Sequence, residues 1–132
     1  MIFLDASVLL AAEDTDDPHH VAAAALTEEA DLGTLDLALY EVTNVATVRW
    51  GSTGASRRLR DRIWAIAALG TLARVDAGLG ERAAELAHEH GISAYDAAYV
   101  AAAEREHASL ASCDERDLVS RGLAKLPGDL LG

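Results

Sequence analysis

The chain has 132 residues, 22 Asp and Glu against 11 Lys and Arg, and a hydrophobic content of 51%. That length suits one domain around one core, here taken as residues 1–132, and that apolar content excludes a disordered acidic tail. The net charge of −11 speaks against a simple nucleic-acid coat protein, no apolar run nears the roughly 20 residues that span a bilayer, and the single Cys113 excludes a disulfide framework.

The opening MIFLDASVLL has no basic flank and carries Asp5 inside its apolar stretch, unlike a signal peptide. A cytoplasmic protein with no membrane partner is therefore expected. Residues 2–4 read as a short buried strand ending at Asp5, and residues 7–12 as a short helix with Ser7 as its N-cap. Pro18 suits the first position of the next helix, over the Ala-rich residues 19–30, which Gly33 breaks. Residues 34–37 read as a second strand. Residues 39–50 are expected to be helical, with Glu41, Asn44, Val45 and Val48 following helical spacing.

A turn at 51–54 leads to an amphipathic helix over 55–69, stopped by Gly70. Residues 71–75 read as a third strand, 80–90 and 93–107 as helices, and 109–112 as a fourth strand. A short helix over 114–121 and a last edge strand at 124–126 complete the reading. Strands and helices alternate without hairpin signals. The expected fold is a single three-layer α/β domain, with a parallel sheet of about four or five strands flanked by helices.

Ligands of open α/β sheets sit at the carboxyl ends of the strands. Asp5 follows the first strand, and Asp114 follows the fourth with Cys113 between. Glu41 and Asp96 stand in the first turns of two helices. Two like charges ~4 Å apart repel by about 4 kcal/mol at an effective dielectric of 20. A hard divalent cation with oxygen ligands, Mg²⁺ or Mn²⁺, would remove that cost if the four acids converge. Each acid also has a bland reading. Ser93 to Asp96 has capping-box spacing, Glu41 can complement a helix dipole, and Asp114 can cap a helix. Asn44 can orient Glu41 or be a buried amide. The acids Glu13, Asp14, Asp16 and Asp17 read as a solvated loop.

Four blocks in order resemble the PIN-domain family and, within it, the VapC-like ribonuclease toxins of toxin–antitoxin pairs. They are Asp5-Ala6-Ser7, Glu41-Val42-Thr43-Asn44-Val45, Tyr95-Asp96-Ala97-Ala98-Tyr99 and Ser112-Cys113-Asp114. The resemblance implies a PIN-like nuclease domain that hydrolyses RNA phosphodiesters with metal-activated water. It gives Asp5, Glu41, Asp96 and Asp114 as catalytic acids, with Asp5, Asp96 and Asp114 holding Mg²⁺ or Mn²⁺ and Glu41 a ligand or the group that orients the attacking water. Ser7 matches a small hydroxyl residue near the first acid, Ser112 stands where the family often has Thr, and Asp117 is a further acid near the site. A homodimer and a small VapB-like antitoxin are implied as partners. The alternatives are a PIN-like nuclease of RNA processing and a non-catalytic binding module of the same fold.

Residues 49–62 hold Arg49, Arg57, Arg58, Arg60 and Arg62 against Asp61 alone, a local charge of +4. The run reads either as a solvated helix face or as the approach surface for RNA, with Arg49, Arg57 and Arg58 in contact. Residues 78–83 fit the dinucleotide pattern G-x-G-x-x-A. However, the position for its ribose-binding acid falls inside the helix expected over 93–107, so the glycines read as a helix start and close packing. His88 and His90 do not share a helix face. Cys113 has no His beside it in sequence to activate a thiol, and Trp50, Trp64, Tyr95 and Tyr99 read as packing residues.

Overall fold

In the computed structural model, which describes residues 1–132, the chain lays down its first strand in the middle of the sheet. The strands are β1 (Ile2–Leu4), β2 (Leu32–Leu35), β3 (Thr71–Ala73) and β4 (Ser109–Ala111). All pairs are parallel, in the order β3-β2-β1-β4. Parallel neighbours need long crossovers, and helices supply them. Helices α1 (Ala6–Glu13) and α2 (His20–Leu26) join β1 to β2, and α3 (Ala38–Asn44) and α4 (Thr53–Leu69) join β2 to β3. Helices α5 (Ala77–His90) and α6 (Ala94–Arg105) then carry the chain back to the other side of β1. The direction of winding reverses between β1 and β4, and the carboxyl ends of strands at such a reversal are where ligands of open α/β sheets sit.

Strands this short bury little by themselves, so the helices provide most of the core. Of its 33 buried residues 15 are Ala, which lets helices approach the sheet closely. Helix α6 is the most enclosed. Ala97, Tyr99, Val100, Ala101, Ala102 and Ala103 are all buried, and apolar residues on most of its circumference mark an interior helix. No helix is long and apolar enough to cross a membrane.

Several expected boundaries shift for local reasons. Helix α2 ends at Leu26, where Thr27 turns its hydroxyl back to Ala24 O at 2.7 Å, and Asp31 makes the next turn at φ 60°. Gly33 therefore lies within β2, not at a helix end, and a Cβ there would strike the Phe3 ring. The helix expected over 39–50 becomes α3 plus a π-helical turn, Val45–Arg49. A second π-helical turn, Glu115–Val119, replaces the helix expected over 114–121. The strand expected at 124–126 reduces to one bridge between Ala111 and Lys125, so the sheet has four strands. Asp5, not Ser7, caps α1, because the helix begins directly after the strand and the Val8 N–H falls 3.2 Å from Asp5 Oδ1.

Two glycines give opposite expectations. A Cβ on Gly70 would collide with the backbone carbonyl of Leu32, whereas one on Gly80, inside α5, meets nothing within 4 Å. Close packing thus does not explain Gly80. Gly70→Ala is expected to destabilise the fold by roughly 1–3 kcal/mol. Gly80→Ala is expected to stabilise it by about 0.5–1 kcal/mol through helix propensity. Urea unfolding midpoints should move in opposite directions for the two variants.

Candidate active site

Asp5 stands where β1 passes directly into α1, and its N–H donates to Ala111 O of β4 at 3.2 Å. Its Oδ1 accepts from Ser7 Oγ at 2.5 Å as well as from the Val8 N–H. Ser7 Oγ in turn accepts from the Cys113 N–H at 2.9 Å and lies 3.4 Å from Ser112 Oγ. Ser112 Oγ accepts from the Asp114 N–H at 3.0 Å. This hydroxyl web ties the end of β1 to the end of β4 across the reversal point. Asp5 is only 4% exposed. Burial pushes its carboxyl up to about 6, partly offset by the hydroxyls of Ser112 and Ser7 and the Val8 N–H, while the charge of Asp96 adds to the rise.

The facing wall comes from the start of α6 and the turn after β4. Ser93 caps α6, its Oγ accepting from the Asp96 N–H at 3.0 Å. Asp114 caps the second π-helical turn, accepting from the Asp117 N–H at 3.0 Å. One carboxylate oxygen from each of Asp96, Asp114 and Asp117 lies within 4.8 Å of the other two. Asp96 is held above the ordinary carboxyl range, first by burial and then by the charges of Asp114 and Asp117. Its own charge acts on Glu41, which burial also raises although Tyr99 Oη donates to Glu41 Oε1 at 2.7 Å.

The sheet edge therefore gathers Asp5, Glu41, Asp96, Asp114 and Asp117 into one electrostatically coupled set. Such a set stays fully ionised at low cost only beside a cation. The donors are all hard oxygens, and the tight trio of Asp96, Asp114 and Asp117 can bind a divalent ion.

The tight trio contains Asp117, which the sequence suggested only as a further acid, and lacks Asp5. Its signal is the three-residue spacing from Asp114, at which a capping carboxylate accepts the Asp117 N–H. Asn44 is exposed and makes no side-chain hydrogen bond, so it is not a buried amide. Tyr99 is buried as a packing residue would be, and in addition its hydroxyl reaches Glu41. Helical spacing held that signal too, since Tyr99 follows Asp96 by three residues. Tyr95 and Trp64 are 63% and 53% exposed, contrary to a packing role.

Among the arginines, Arg58 pairs with Glu13 at 2.5 Å, Arg60 donates to Ser56, and Arg62 donates to Thr27 at 2.9 Å. Arg49 and Arg57 are exposed and make no side-chain hydrogen bond or ion pair. Glu13 is thus an ion-pair partner, not part of a solvated loop. The Cys113 thiol is pushed up to about 12, chiefly by burial, and stays protonated at neutral pH.

The family model of the PIN domain matches residues 2–121. This chain belongs to the PIN-domain family. No curated protein sequence matches it significantly. Its structure is similar to that of VapC20 from Mycobacterium tuberculosis, described as a sarcin-ricin loop cleaving toxin. The TM-score is 0.77 and the identity 22%, covering 92% of this chain and 95% of that one. A toxin–antitoxin complex from Klebsiella pneumoniae contains a chain matched at TM-score 0.72 and 15% identity, covering 96% of this chain and 98% of that one. PAE2754 from Pyrobaculum aerophilum matches at TM-score 0.68 and 28% identity, covering 98% of this chain and 92% of that one. The four-stranded parallel sheet with flanking helices is thus a PIN-domain fold.

The raised carboxyl of this PIN domain's Asp5 has a thermodynamic consequence. Folded Asp5 keeps its proton to about pH 6, against 3.8 for the free carboxyl. Between those values the folded chain binds more protons, so stability falls as pH rises through the window. In chelator, Asp5→Asn should raise stability at pH 7 by an amount on the order of 2–3 kcal/mol and change it little at pH 4. Thermal melts at the two pH values check the sign, and a lower midpoint at pH 7 would contradict it.

Proposed function

We propose that this chain is a divalent-metal-dependent endoribonuclease and the toxin of a VapBC-type toxin–antitoxin pair. The observation that carries the reading is the approach of Asp96, Asp114 and Asp117 to within 4.8 Å of one another, with Asp5 and Glu41 coupled to them. PIN-domain membership and the likeness to VapC20 support RNA as the substrate. Mg²⁺ or Mn²⁺, when bound, would supply charge relief at the scissile phosphate and lower the pKa of a water. Asp96 and Asp114 would hold the ion directly, Asp117 beside them, and Asp5 directly or through water. Glu41 would help hold the ion and orient the attacking water. Ser7 and Ser112 would keep the Asp5 wall in register with the Asp114 wall.

RNA must approach an acidic protein, and Arg49 and Arg57 are the cations of the basic run that remain unengaged. Arg58 is committed to Glu13 in this structure and contributes to RNA contact only by leaving that pair. The same acidity suits a VapB-like antitoxin that presents a basic side chain to the cluster, and the likeness to a chain of a toxin–antitoxin complex supports such a partner. A homodimer completes the proposed assembly.

Wild type, Asp5→Asn and Asp96→Asn should be compared on RNA with Mg²⁺, with Mn²⁺ and with chelator. Cleavage by wild type is expected only with the metals. Asp96→Asn should lose about 100-fold or more in rate, in line with loss of a principal charge-stabilising group. Growth arrest on expression, relieved by the same substitutions, is the expected mark of a toxin. Equal cleavage by all three proteins in chelator would reject the mechanism.

A further inference from the structure

Glu41 and Tyr99 meet from different crossovers. Glu41 stands in the first turn of α3, and Tyr99 lies on α6, three residues after Asp96. The phenol is 2% exposed and donates to Glu41 Oε1 at 2.7 Å. No other side chain hydrogen-bonds to Glu41, so this contact alone fixes one of its two oxygens. A half-buried carboxylate facing the charge of Asp96 would otherwise rotate away from it or take up a proton. Burial and the nearby charges of Glu41, Asp5 and Asp96 keep the phenol protonated, hence a permanent donor.

We propose that Tyr99 is a positioning residue which, by holding Oε1, leaves Oε2 of Glu41 as the atom presented to the acidic cluster. The proposal rests on the nuclease reading above and adds a residue through which one catalytic acid is set. The ring itself belongs to the core, so a structural role must be separated from a positioning one. Tyr99→Phe keeps the ring and deletes only the donor.

The test is a double-mutant cycle of Tyr99→Phe with Glu41→Gln. Two quantities are read on the full chain: kcat and KM for RNA cleavage with Mg²⁺, and Mn²⁺ affinity of the RNA-free protein by calorimetry. Tyr99→Phe should lower kcat by about 10- to 100-fold, the cost typical of losing a partner that orients a ligand, with KM unchanged. Mn²⁺ affinity should fall in the same direction. In the Glu41→Gln background the same substitution should add nothing to either loss. Equal losses in both backgrounds, or no loss in wild type, would overturn the role of Tyr99. Asp96→Asn run alongside separates the two failures. Loss of cleavage in that variant with an additive cycle refutes Tyr99 alone, whereas a wild type that neither binds Mn²⁺ nor cleaves RNA removes the nuclease reading and this proposal together.

Discussion

Burial of carboxylates that also face one another's charge, at the reversal point of the sheet, is the constraint on which this molecule depends. Asp5, Glu41 and Asp96 are each raised by burial, and Asp96 couples to four other acids. A fold that gained nothing from the cluster would shed the cost by replacing one acid with an amide. Here the chain spends a web of hydroxyl and backbone donors on keeping the carboxylates in place. The arrangement is what a multivalent cation would stabilise, and it is the physical content of the nuclease reading.

Local structure and site use the same residues. Asp5 caps α1 and Asp114 caps the turn after β4, while Ser93 caps α6 at the Asp96 amide. A cap occupies at most part of a carboxylate's acceptor capacity and fixes its direction. The bland capping readings and the functional readings are therefore compatible, and for Asp5 and Asp114 the caps set the direction of the carboxylates themselves. Tyr99 extends the same logic to Glu41, which has no cap of its own.

Much of this was legible in the sequence. Alternation of short apolar runs with helical spacing was enough for a parallel sheet, and the acids at Asp5 and Asp114 could be placed at strand ends before any topology was known. What sequence could not supply was the order β3-β2-β1-β4, which alone puts the ends of β1 and β4 side by side. Strand limits slipped around Gly33, because a glycine reads as a breaker while here it makes room for Phe3. The places of Asp117 and Tyr99 are hidden from sequence because they depend on contacts across the chain: Asp117 to Asp96, and Tyr99 to a residue 58 positions away. Pairing of Arg58 with Glu13 was likewise invisible, being a contact between α1 and α4.

Anomalous diffraction from crystals of the protein grown with Mn²⁺ tests the central claim most directly. The account predicts a manganese peak bonded to carboxylate oxygens of Asp96 and Asp114, with Asp117 adjacent and Asp5 and Glu41 lining the same space. Manganese bound elsewhere, or no peak among these five acids at millimolar metal, would contradict it.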